Sequence, residues 1–148
     1  MDIVIDTCVL IDILISGRSR HDKAILLANK LADDTLKCGI PMHCMFELVS
    51  AVRSEFNSKG APLKSDFIDE KIPFEFELIP IDDSFLKKYL FETLKKKILV
   101  KLKAGDMIFV LLAMRHDAIL ITEDKPMKKT AESLGLKAVS IKEYLDEE

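Results

Sequence analysis

Four acidic residues, Asp6, Glu47, Asp106 and Asp124, stand at points in the chain where carboxylates can do chemistry. Asp6 closes the apolar run Ile3-Val4-Ile5, and Asp124 follows a second run, Ala118 to Thr122. The carboxyl ends of such strands are where ligands bind in open α/β sheets. Asp106 opens a helix whose next eight residues, Met107 to Met114, are all apolar, and Glu47 lies in the middle of another largely apolar segment. Four carboxylates brought together repel one another and stay ionised only if a cation neutralises them. An all-oxygen donor set suits hard divalent ions, Mg2+ or Mn2+, which bridge to phosphate oxygens and acidify a bound water. The chemistry implied is hydrolysis of a nucleic-acid phosphodiester.

Whether the four acids meet depends on the elements that carry them. After Thr7 the chain stays apolar to Ile15 except at Asp12, which suits a short helix ended by Ser16-Gly17. Ala24, Leu27, Ala28 and Leu31 recur at i, i+3, i+4 and i+7, the stripe of an amphipathic helix over 22–34. Leu36 to Ile40 is short enough for a second strand, and Pro41 fits the first turn of a helix over 42–56. That helix is apolar on most sides, so Glu47 is expected to point inward and to need a partner or a metal. A loop over 57–63 and a short helix from Ser65 to Pro73 follow, then strand-like Phe76 to Ile81, where Pro80 indicates a sheet edge. Asp82-Asp83-Ser84 offers caps for a long helix reaching Ile98. The fourth strand is followed by a helix with Pro126 in its first turn and Gly135 at its end; Lys137 to Ile141 makes a fifth strand before a charged C-terminal helix.

Alternating strands and helices predict an α/β fold, a three-layer α/β/α sandwich on a mostly parallel five-stranded sheet, with residues 1–148 as a single domain. If the first and fourth strands are neighbours, Asp6 and Asp124 stand side by side. Asp106 joins them because its helix runs antiparallel to the fourth strand and starts near that strand's carboxyl end.

Composition narrows the class. With 148 residues, 49% apolar and only five Gly and five Pro, the chain is neither disordered nor collagenous and is long enough to bury a core. No apolar run approaches the ~18 residues of a membrane span, and Asp2, Asp6 and Asp12 interrupt the N-terminus too early for a signal peptide. A cytoplasmic, non-membrane protein is expected. Cys8, Cys38 and Cys44 are odd in number and form no C-x-x-C pair, so they read as small buried hydrophobes. The net charge of −3 conceals a basic segment, because between Ser84 and Lys129 eleven Lys or Arg face five acids. Lys101 and Lys103 lead into Asp106, and Lys125 and Lys128 follow Asp124, which makes these four candidates for contact with RNA phosphates.

Val-Ile-Asp-Thr at 4–7, Phe-Glu-Leu at 46–48, Ala-Gly-Asp at 104–106 and Ile-Thr-Glu-Asp-Lys at 121–125, in this order and spacing, resemble PIN-domain nucleases, and the compact size resembles VapC-type toxins. The resemblance implies a PIN-like fold and a metal-dependent endoribonuclease acting on RNA with Mg2+ or Mn2+. In it Asp6, Glu47, Asp106 and Asp124 match the acidic metal-binding positions, and Thr7 and Thr122 the hydroxyl positions beside them. It also implies an antitoxin partner and a homodimer. Cys8 departs from the pattern, since many relatives carry Asn or Ser after the Asp-Thr pair.

Simpler roles exist for each acid. Asp106 and Asp124 could be helix caps, Asp6 a turn residue, and Glu47 a carboxylate paired with His43 one turn earlier. The alternative function is a catalytically inactive PIN-like module that binds RNA or a protein. An aspartyl phosphotransferase fits less well, because no second Asp stands two residues after Asp6. His43 and Cys44 lack the second ligand pair that zinc would need.

Overall fold

Ile3–Ile5 (β1) are wholly buried, as expected of a strand covered by helices on both faces. They belong to a computed structural model of the chain that describes residues 1–60, 67–91, 95 and 101–146. Cys38–Pro41 (β2) lies on one side of β1 and Ile119–Ile121 (β4) on the other. Phe76–Ile79 (β3) and Ala138–Val139 (β5) form the edges, giving the order β3-β2-β1-β4-β5. Every pairing is parallel, so the mostly parallel sheet expected from sequence is entirely so. Ile5 lies opposite Ile121, which brings the two following segments out at one level. The strand order reverses at β1, the position that opens a crevice in this class of sheet.

The helices form two layers. Ala104–His116 (labelled α6 in the numbering used here) lies across β1, β2 and β4, with Lys125–Ser133 (α7) beside it. Phe109 to Ala113 are buried there, as the unbroken apolar run requires. Asp117, in the left-handed conformation at φ 50°, ends α6 and turns the chain into β4. Thr7–Leu14 (α1), His21–Asp33 (α2) and His43–Ser58 (α3) pack together in the other layer, joined by Phe67–Lys71 (α4) and Ile141–Asp146 (α8). The three-layer α/β/α arrangement is therefore present. The α2 stripe Ala24, Leu27, Ala28 and Leu31 is buried as its spacing predicts.

Several boundaries differ from expectation for local reasons. Pro41 ends β2 instead of opening α3, which starts at His43 and runs on to Ser58. β3 stops at Ile79, before Pro80, and is the edge strand that the proline indicated. The helix capped by Asp82, whose carboxylate accepts from Phe85 N at 2.8 Å, is α-helical only over Asp83–Phe85 (α5) and π-helical over Leu86–Leu90. The expected continuation to Ile98, with Lys96 and Lys97, lies outside the described residues, as do residues 61–63 of the expected loop and the start of the 65–73 helix. Among the described residues no helix is long and apolar enough to cross a membrane.

Candidate functional site

Asp6 emerges from β1 with its backbone N–H donating to Ile121 O at 3.1 Å, so it is tied to β4 before its side chain does anything. It occupies the N-cap position of α1 yet makes no side-chain capping bond. Its carboxylate instead accepts, at Oδ2, from Thr122 Oγ1 at 2.6 Å and from the Cys8 thiol at 2.8 Å. Its carboxylate thus joins the ends of β1 and β4 instead of capping the turn into α1. Asp6 is 5% exposed, and burial pushes its carboxyl above the ordinary range; the Cys8 and Thr122 donors pull it down in part, and the charge of Asp124 pushes it up.

Thr122 is buried more deeply still and links the two strand ends. Its hydroxyl donates to Asp6 and accepts from Asp124 N–H at 3.0 Å. Asp124 also caps α7, accepting from Met127 N at 2.7 Å through Oδ1, with Pro126 in the first turn. The cap role is therefore real, and it fixes the carboxylate beside β1 without using up its acceptor capacity.

Asp106 is the third residue of α6, where Lys103 holds the N-cap position without a side-chain bond, so it is not the helix cap. Burial raises its pKa, and the charges of Asp124, Asp6 and Glu47 raise it further while Lys103 opposes them. All four acids therefore share one electrostatic neighbourhood.

Glu47 reaches that neighbourhood by a route different from the one expected. It is exposed, not buried, because α3 turns Cys44, Leu48 and Val52 toward the core and leaves Phe46 and Val49 outside. Its partner is Thr7, whose hydroxyl donates to Glu47 Oε2 at 2.7 Å and lies 3.0 Å from Cys44 Sγ. It is not paired with His43. That ring stacks at a tilt on Phe109, and neither of its nitrogens finds a hydrogen-bond partner among the described residues. Burial lowers the His43 pKa, and neighbouring Glu47 partly offsets this.

A residue that sequence reasoning passed over shapes the same corner. A Cβ on Gly105 would stand 3.1 Å from Glu47 Oε1 and 3.7 Å from His43 Nε2. The glycine before Asp106 thus lets the start of α6 approach α3 closely, a use of glycine that depends on the missing side chain and not on φ. Cys8 and Cys44 are silent as nucleophiles, since burial pushes the Cys8 thiol well above its usual pKa and that of Cys44 up to about 12.

Among the described residues no three acidic, His or Cys side chains are close enough to hold one ion between them. The donor set nonetheless fits Mg2+ or Mn2+, which keep several waters and need only one or two carboxylates. Of the four lysines singled out, Lys101, Lys103 and Lys125 are exposed, and Lys103 acts electrostatically on Asp106. Lys128 is committed elsewhere, to Glu143.

The fold has parallels among solved structures. The fold matches the crystal structure of PAE2754 from Pyrobaculum aerophilum with a TM-score of 0.60 at 15% identity, covering 98% of this chain and 94% of that one. It matches VapBC2 from Rickettsia felis, bound to a DNA fragment from its promoter, with a TM-score of 0.61 at 15% identity, covering 95% and 98%. A PilT N-terminus domain protein, SSO1118 from Sulfolobus solfataricus, aligns with a TM-score of 0.53 at 18% identity, covering 98% and 91%. No curated protein matches the sequence significantly. The PIN domain pattern, however, matches residues 3–133, which takes in all four acids and every strand of the sheet except β5. The chain belongs to the PIN-domain family.

Proposed function

We propose that this chain, acting as one PIN-type unit over 1–148, is a metal-dependent endoribonuclease that hydrolyses RNA phosphodiesters, with Asp6, Glu47, Asp106 and Asp124 as the metal-binding acids. PIN domains are generally nucleases, which supports the reaction class. The observation that carries the reading is how the four acids are partnered. Asp6, Glu47 and Asp124 receive hydroxyl, thiol and backbone donors, and among the described residues none of the four acids forms an ion pair. Asp12, buried like Asp6, is met by two arginines. A cluster that the protein leaves without its own counter-charge is built for a cation from solution.

A bound Mg2+ or Mn2+ would neutralise the scissile phosphate and supply a water acidic enough to attack it. The chain's own part is to hold acceptors in place. Thr122 keeps the Asp6 and Asp124 carboxylates at one edge, Thr7 orients Glu47, and Gly105 lets Asp106 come near. No side chain is positioned as a nucleophile. An antitoxin partner, a homodimer and a cytoplasmic site of action complete the reading. The partner is supported by the exposed α3 stripe, where Phe46 is 78% exposed above a groove of about 590 Å3 lined by Met45, Val49 and Arg53.

The test is cleavage of single-stranded RNA in Mg2+ or Mn2+. Asp6→Asn and Asp106→Asn should each abolish cleavage and leave the circular-dichroism spectrum and melting transition intact. Full activity in the purified Asp6→Asn protein would sink the proposal. The second reading, an inactive module, draws on Cys8 standing where the family carries a polar residue. Calorimetric titration with Mn2+ separates the two, since the module would show no carboxylate-dependent binding.

A further inference from the structure

Asp12 is a charge that the proposed chemistry does not use. It lies in α1 at 0% exposure, and the Nε groups of Arg18 and Arg20 both reach it, the latter at 2.6 Å from Oδ2. One buried carboxylate needs one well-placed counter-charge. Here two converge on one carboxylate, and both arginine side chains remain about two-fifths exposed, at 40% and 39%.

The connector that carries them is tied down. Arg18 N donates to Ile15 O and His21 N to Arg18 O, while the His21 ring Nδ1 lies 2.9 Å from Asp12 O. Arg20 also stands 4.0 Å from Glu123 Oε2, and Glu123 is the residue between Thr122 and Asp124. The Arg20 guanidinium thus flanks the loop that holds half of the acidic crevice, and Arg18 shares its Asp12 anchor. Along α1, Asp12 lies six residues beyond Asp6, about 9 Å of helix. An acidic crevice repels a polyanion, so binding RNA requires cations at its rim. Lys128 is occupied by Glu143, whereas each arginine engages Asp12 through Nε and has its Nη groups for a phosphate.

We propose that Arg18 and Arg20, clamped by Asp12 on the α1–α2 connector, form a phosphate anchor that grips the RNA backbone beside the scissile bond. This assignment rests on the ribonuclease reading and names a substrate contact outside its four acids.

The experiment measures binding of a short fluorescent single-stranded RNA to the full chain in EDTA, where no cleavage intervenes, across a series of salt concentrations. The slope of log K against log salt should shrink in magnitude by about 0.7 for each of Arg18→Gln and Arg20→Gln. Affinity at low salt should fall several-fold, and Arg20→Lys should keep the slope, because a lysine still displaces a counterion. Each single variant leaves one guanidinium on Asp12, so the fold is retained, and melting curves verify this. A wild-type slope in both folded Gln variants overturns the anchor and assigns the pair to neutralising Asp12 alone. If the wild-type chain itself fails to bind RNA, the ribonuclease reading falls and takes the anchor with it.

Discussion

Thr122→Val is the most informative single change, because it alters one hydroxyl and no shape. In the native site that hydroxyl donates to Asp6 Oδ2 at 2.6 Å and accepts from Asp124 N–H at 3.0 Å, all within a residue 1% exposed. Loss of a hydrogen bond to a charged group costs about 1.5–3 kcal/mol, and loss of the neutral one about 0.5–1.5 kcal/mol. The extra buried methyl returns about 1 kcal/mol. The net expectation is a destabilisation of about 1–3 kcal/mol at neutral pH, with only a local change in structure.

The pH dependence gives the sign. Burial already holds the Asp6 pKa above its unfolded value, and the Thr122 donor is one of two side-chain bonds that restrain it. A carboxyl whose folded pKa is raised favours the fold least once it is ionised, so the metal-free protein loses stability as pH rises from about 4 through the folded pKa. Removing Thr122's donor raises that pKa again. The gap between wild type and variant should therefore widen with rising pH across that window and narrow below pH ~4, where Asp6 is protonated in both states. Urea unfolding in EDTA at several pH values measures it, and a parallel Mn2+ titration should show weaker binding in the variant. Thr122→Ser should restore both. A Val variant with a constant stability gap across pH would refute the assignment of Thr122 as the restraint on the Asp6 charge.

Other perturbations read other parts of the site. Gly105→Ala should stabilise the metal-free helix by roughly 0.5–1 kcal/mol through its better propensity, yet weaken Mn2+ binding, because the new Cβ stands 3.1 Å from Glu47 Oε1 and pushes it away. Thermal melting and calorimetry on the same sample would check these opposite signs, and unchanged metal affinity would count against the close approach. Glu143, held by Lys128 and by Ser140 N, has its pKa lowered to about 2. Its contribution is present above the unfolded value near 4.5 and is lost as pH falls through about 2. On so exposed a pair it amounts to less than about 1 kcal/mol, so Glu143→Gln should lower the melting temperature slightly at pH 7 and not at all near pH 2.

What could be read from the sequence was whatever depends on position along a strand or helix. Asp6 and Asp124 follow apolar runs, and parallel neighbours whose registers match must bring such residues out at one edge. Glu47 was placed inside because an apolar count cannot say which face a helix buries; the spacing 44, 48, 52 marks the buried stripe, and residue 47 lies about 100° away from Leu48. The repeat of apolar residues after Asp82 likewise could not announce a π-helical turn, in which each backbone bond spans five residues instead of four. Gly105 gave no signal because its role is the absence of an atom. Asp12 read only as an interruption in an apolar helix, although arginines six and eight residues later were on view; recognising them as its partners requires knowing that the chain doubles back at Gly17.

The contrast between Asp12 and the four acids also explains why the crevice is expensive for the fold. A buried carboxylate is tolerable when a guanidinium offsets its desolvation, and this chain has cations within reach: two on Asp12, one on Glu143, one on Glu55. None is placed on Asp6, Glu47, Asp106 or Asp124 among the described residues, although Lys103 is near enough to lower the Asp106 pKa. Pairing any of them internally would steady the metal-free protein and occupy the oxygens that a divalent ion needs. Neutral donors do neither. A hydroxyl from Thr7 or Thr122 orients a carboxylate without cancelling its charge, so the repulsion persists until a cation arrives, and binding that cation releases it. The stability withheld from the metal-free protein thus becomes part of the metal's binding free energy.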